Sequence, residues 1–155
     1  MEVKTILWPT DLSKNSLKAT KHVISLADKY QARVIMLYVG TDLMNMLAYG
    51  GKYPSEEYLK HFQDWELGQA KKEMETVCGA NMKACPMLDV KLVQGDPAEE
   101  ILKMAEAEKA DMIVITTHGR GHGALDAKTP DFGSVVAKVI RAARTPIHLV
   151  NPFME

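Results

Sequence analysis

The feature that most constrains the fold is an alternation. Short apolar runs, VKTILWP (Val3 to Pro9), RVIMLYV (Arg33 to Val39), MLDVKLVQG (Met87 to Gly95), MIVIT (Met112 to Thr116) and PIHLVN (Pro146 to Asn151), take turns with stretches in helical spacing. Strand and helix in strict turn argue an α/β chain, an open doubly wound parallel sheet of five strands with four helices. RVIMLYV is nearly continuous in apolar residues, as a strand covered on both faces by helices should be. A length of 155 residues suits one compact domain with its own core, so residues 1–155 are read as a single domain.

The helical stretches carry their own signals. From Ser16 to Tyr30, Leu17, Thr20, Val23, Ile24, Ala27 and Tyr30 recur at helical spacing, with Lys14, Lys18, Lys21 and Lys29 on a solvated face. SEEYLKHFQDWELGQAKKEMETVC, with Ser55 as candidate N-cap, predicts the longest helix, its core face running through Tyr58, Phe62, Trp65, Ala70, Met74 and Val77. GDPAEEILKMAEAEKAD opens with Pro97 at a first helical position, and GSVVAKVIRAAR supplies the last helix. Gly40 to Pro54, GTDLMNMLAYGGKYP, has no sustained period and reads as an irregular excursion.

Several function classes are disfavoured. Lys and Arg number 19 against 20 Asp and Glu, which leaves no basic field for nucleic acid or an anionic membrane. The apolar run at the N-terminus breaks at Pro9 and Asp11, too soon for a signal peptide or membrane span, and a cytoplasmic chain is expected. Cys78 and Cys85 match neither redox nor zinc-finger spacing and are expected to be reduced thiols. His118 and His122 lack a third ligand nearby in sequence, so no metal site is assigned. The first turn, PTDLSKN, has no glycine, which disfavours a GxGxxG dinucleotide site, and GxxxxGK[ST] is absent. Neither GxSxG nor HExxH occurs, so no catalytic residue is named.

ILWPTDLS, VKLVQGDPAEEIL, DMIVITTHGRGHG and GSVVAKVIRAARTPIHLV, in this order, closely resemble the universal stress protein family over nearly the whole chain. The resemblance implies a Rossmann-like sheet, of the adenine nucleotide alpha hydrolase type, ordered 3-2-1-4-5. It also implies a homodimer paired through the last strand, Pro146 to Val150. That order sets strands one and four side by side at the topological switch point, where ligands of such sheets bind.

An adenine nucleotide, ATP or AMP, is the ligand the resemblance implies. Its adenine end would meet Pro9, Thr10, Asp11 and Val39. Its phosphates would follow a cradle from Thr116 through His118, Gly119, Arg120 and Gly121 to Gly133, Ser134 and Val135. Asp11 reads equally as a cap on the following helix. The family pattern G-x2-G-x9-G-[ST] is met only in part: Thr116 replaces its first glycine, and thirteen residues separate Gly119 from Gly133. Threonine adds a branched side chain where close approach is wanted, although its hydroxyl offers a donor. Arg120 and Lys128 favour a phosphate there, while Asp126 and Asp131 oppose it unless Mg2+ accompanies ATP.

Three functions follow from this reading. The chain is a regulatory module of the stress response that binds ATP or AMP; alternatively, it is a dimeric stress protein that acts on protein partners without nucleotide, with DLMNMLAYGG as a contact surface. A slow ATPase or self-phosphorylating activity has Ser134 as its one candidate acceptor.

Overall fold

Strand β1 (Thr5–Pro9) lies in the middle of the sheet, hydrogen-bonded to β2 (Arg33–Gly40) on one side and β4 (Met112–Thr116) on the other. The computed structural model describes residues 1–43, 55–81, 87–119 and 132–154. The remaining elements are α1 (Lys14–Leu17), α2 (Thr20–Tyr30), α3 (Glu56–Asn81), β3 (Leu88–Gln94), α4 (Pro97–Ala107), α5 (Ser134–Ala142) and β5 (Ile147–Val150). The five strands are parallel and ordered β3-β2-β1-β4-β5, as expected. The first expected helix is in two pieces, because Lys18 and Ala19 donate to Asn15 and Ser16 three residues back and tighten the turn between α1 and α2.

Side chains alternate across the strands and so build two core layers. Ile6, Trp8, Val34 and Met36 face α2 and α3, meeting Val23, Ala27, Ala70 and Met74. Leu7, Ile35, Leu37 and Ile113 face α4 and α5, meeting Ile101, Ala105, Val136 and Val139. Fully burying one such aliphatic side chain stabilises the fold by about 1.5–3 kcal/mol.

The pairing of β1 is uneven, and this opens the molecule. With β2 it continues to Pro9 opposite Leu37, but with β4 it covers only Ile6 opposite Met112 and Leu7 opposite Ile113. Backbone N–H groups alternate sides along a strand, and that of Thr10 bonds the Leu37 carbonyl on β2 at 2.9 Å. The donor that Pro9 lacks would therefore have faced β4. Beyond Leu7 the two strands part, and β4 continues to Thr116 alongside β5.

α3 departs from the expected packing. Its buried residues include Leu59, Gln63, Ala70 and Met74, whereas Tyr58, Phe62 and Trp65 are exposed. In the first half of the helix the core row is shifted by one residue. Gln63 hid this from the pattern, because it reads as a surface residue yet is buried with its amide donating to the Thr41 carbonyl at 3.4 Å. Cys78 is half-buried with its Sγ 3.9 Å from Met36 Sδ. Cys85 and most of the 40–54 excursion lie outside the described residues.

At the other edge of the sheet, His148 on β5 meets His22 on α2, with Nε2 and Nδ1 3.3 Å apart. Burial, and secondly the charge on His22, lowers the pKa of His148 below the ordinary histidine value. The folded state thus disfavours the proton more than the unfolded state does, and stability drops as pH falls through the ordinary histidine range. Urea midpoints measured between about pH 8 and pH 5 should fall toward the acid end. In His148→Gln the fall should be shallower.

Candidate functional site

The turn after β1 is held by its own side chains. Leu12 has φ of 62°, a left-handed conformation that costs an ordinary residue about 1–2 kcal/mol. Three bonds offset it: Leu12 N–H donates to Thr10 Oγ1 at 3.0 Å, Ser13 N–H to Asp11 Oδ1 at 2.9 Å, and Ser16 N–H to Ser13 Oγ at 3.2 Å. Ser13, not Asp11, is therefore the cap of α1. The Thr10 and Ser16 hydroxyls, both buried, lie 2.8 Å apart.

The segment after β4 comes to the same place. Thr117 N–H donates to the Val150 carbonyl, and Gly133 N–H donates to the Thr117 carbonyl, both at 2.9 Å. Asn15 Nδ2 reaches the Gly119 carbonyl at 3.5 Å. A Cβ at Gly119 would fall 2.5 Å from Asp11 Oδ2, so any side chain there must displace the Asp11 carboxylate.

Between them lies a cavity of about 270 Å³, near the lower end of the about 300–1,000 Å³ range of small-molecule sites. Leu37, Val39, Ile101, Ile115 and Val136 supply apolar wall, while Thr10, Ser16, Thr116, Thr117 and Ser134 add polar side chains. Asp11 is the one ionisable side chain among the described lining residues.

Two helices begin at the cavity, through Pro97 of α4 and Ser134 of α5. The first turn of α4 is closed by Asp96, whose Oδ1 accepts from Glu99 N–H at 3.0 Å. α5 starts at Gly133, which has no side chain to cap it, so its first N–H groups and positive dipole end suit an anion.

Of the expected site residues, Pro9, Thr10, Asp11, Val39, Thr116, Gly119, Gly133, Ser134 and Val135 line this cavity. His118 does not. It is buried, with Nδ1 2.8 Å from Thr117 Oγ1 and its ring against Phe153. The Thr116 hydroxyl, expected as a donor to ligand, instead donates to the His118 carbonyl at 3.0 Å. Arg120, Gly121, His122, Asp126, Lys128 and Asp131 lie outside the described residues. Pro97 and Ile101 were missed by sequence reasoning, although the strand order and the GDP turn after the third strand carried the signal for them.

The profile of the universal stress protein family matches residues 2–151. The chain belongs to this family. A universal stress protein of Methanocaldococcus jannaschii is 33% identical over 150 residues, covering 96% of this chain and 82% of the relative. A second family member from that archaeon has a solved structure, which superposes with a TM-score of 0.81 at 28% identity over 97% of both chains. Two remoter members share the fold. One, solved in complex with cAMP, has a TM-score of 0.61 at 20% identity over 98% of this chain and 99% of its own. The other, from Arabidopsis thaliana with AMP bound, has a TM-score of 0.64 at 13% identity over 96% of this chain and 91% of its own.

The close approach of Asp11 and Gly119 makes a direct prediction for this family member. Gly119→Ala should displace the Asp11 carboxylate and weaken its bond to Ser13. The Ser13 amide resonance should move and its hydrogen exchange should quicken, while the urea midpoint changes little. An unmoved Ser13 amide would show that the two turns are not coupled.

Proposed function

We propose that the cavity binds an adenine nucleotide, ATP or AMP, and that the protein is a nucleotide-responsive regulatory module of the stress response in the cytoplasm. The observation that carries this reading is one of convergence. Residues from the turn after β1, the end of β2, the segment after β4 and the start of α5 line one cavity, each of a chemistry suited to a different part of a nucleotide.

The apolar wall around Val39 and Leu37 suits a flat base. The Asp11 carboxylate and the hydroxyls suit the sugar, since both can bond ribose hydroxyls. The uncapped start of α5 suits phosphate. Mg2+ would accompany ATP, offsetting phosphate charge near Asp11. Bound AMP and cAMP in two family members of the same fold support this choice of ligand class. We further propose that two copies pair along the open edge of β5, between Pro146 and Val150, where backbone groups on the outer side invite a second strand.

One observation favours the nucleotide-independent reading instead. Thr116 stands where the family pattern has glycine, and its hydroxyl is engaged with the His118 carbonyl. The two readings separate cleanly in one experiment. Protein denatured after purification should release an adenine nucleotide, or added ATP with Mg2+, or AMP, should raise the unfolding temperature. At 100 times its dissociation constant the ligand adds about 2.7 kcal/mol, roughly 5 to 10 °C for a chain of this size. Gly133→Val should abolish the shift. No released nucleotide and no shift in the wild type would leave the partner-binding reading.

A further inference from the structure

The cavity makes no use of the outer face of α3. There Tyr58, Phe62 and Trp65 are 72%, 49% and 59% exposed. Their spacing of four and then three residues sets them in one stripe along the helix. Phe62 and Trp65 touch, with ring centroids 5.7 Å apart. A contiguous aromatic patch of this kind marks an interaction surface, and aromatic residues, Trp above all, are the usual anchors of protein interfaces.

Charges along the same helix identify what covers it. The first turn carries Glu56 and Glu57, and Lys71 and Lys72 follow about four turns later, all exposed. A second α3 laid antiparallel, about a two-fold axis between Phe62 and Trp65, stacks Phe62 of each copy on Trp65 of the other. The same operation brings Glu57 of each copy toward Lys72 of the other and opposes the two helix dipoles. A parallel copy would set like charges together. Gly68, one turn from Trp65, has no heavy atom within 4 Å of where its Cβ would stand, so the helix can be approached closely at that point.

We propose that α3 is a self-association surface through which two copies of this chain pair antiparallel, with Phe62 and Trp65 at the centre and Glu57 against Lys72 at the ends. α3 packs over β2 and β3, whereas β5 forms the opposite edge of the sheet, so this contact is separate from any pairing along β5. Acting together, the two contacts build an assembly larger than a dimer, and loss of either one leaves the dimer made by the other.

Sedimentation of the full-length chain across a range of concentrations tests the proposal. Trp65→Ser should lower the mass found for the wild type at the same concentration, to the monomer or, where β5 pairs, to the β5 dimer, weakening association by about 30-fold as the loss of a central anchor does. Glu57→Lys and Lys72→Glu should each weaken it as well, and the double exchange E57K/K72E should restore it. Restoration excludes mere unfolding as the cause, and the same readings hold whether or not β5 pairs. Dilution of the wild type should shift the emission of Trp65 to the red, Trp8 being fully buried and unchanged. A wild-type monomer at every concentration, a mass unaffected by Trp65→Ser, or a double exchange no better than the single ones would each overturn the proposal.

Discussion

The site depends on where one ladder of hydrogen bonds stops. β1 is bonded to β2 as far as Pro9 but to β4 only as far as Leu7, and the proline is placed so that its missing donor falls on the β4 side. A sheet whose strands all paired to their ends would have no crevice at its centre. The departure of β4 toward β5 creates one at the point where the winding reverses. The segments leaving β1 and β4 meet over this gap, at Asp11 and Gly119, and α4 and α5 bring their first turns to it. Proline in the middle of a buried sheet is ordinarily a defect. Here it comes at the last position of the strand, where it ends one ladder and leaves the other intact.

The two ends of the sheet divide the chemistry between them. At the amino end, Arg33 pairs with Asp89 and Glu108, Lys91 Nζ lies 2.5 Å from Glu108 Oε1, and Asp111 Oδ2 accepts from the Lys4 and Thr5 amides. The Lys91 ammonium and Arg33 hold the Glu108 carboxyl below its ordinary pKa. These groups tie β1, β2, β3 and the end of α4 together. At the carboxyl end, the described wall of the cavity carries Asp11 alone among ionisable side chains. Among the described residues, this ion-pair network lies at the end of the sheet away from the cavity, whose wall carries a single carboxylate.

Much of the fold was legible because apolar runs and amphipathic stretches have different periods, and that difference survives even where single residues mislead. The misreadings share a cause. Gln63 resembles a surface residue because buried amides are uncommon, yet Thr41 gives it a partner, and the core row in the first half of α3 falls one residue from the aromatic one. Asp11 reads from the sequence as a helix cap, but the left-handed turn at Leu12 hands the helix start to Ser13. Cavity residues in glycine- and proline-marked turns were legible from the family resemblance. His118 was not, because whether a ring beside such a turn faces the crevice or the core is settled by Phe153, far away in sequence.

The bond from Gly133 N–H to the Thr117 carbonyl has a consequence for how such a chain can diverge. It ties the two ends of the intervening segment together within the folded frame, and for a flexible loop with fixed ends added length costs stability only logarithmically. Going from nine residues to the thirteen between Gly119 and Gly133 costs about 0.3 kcal/mol on that logarithmic scale. On that scale an insertion between these fixed ends costs folding little, and both ends, Gly119 and Gly133, line the cavity. The length of the chain at this place can therefore vary with little demand on the stability of the sheet.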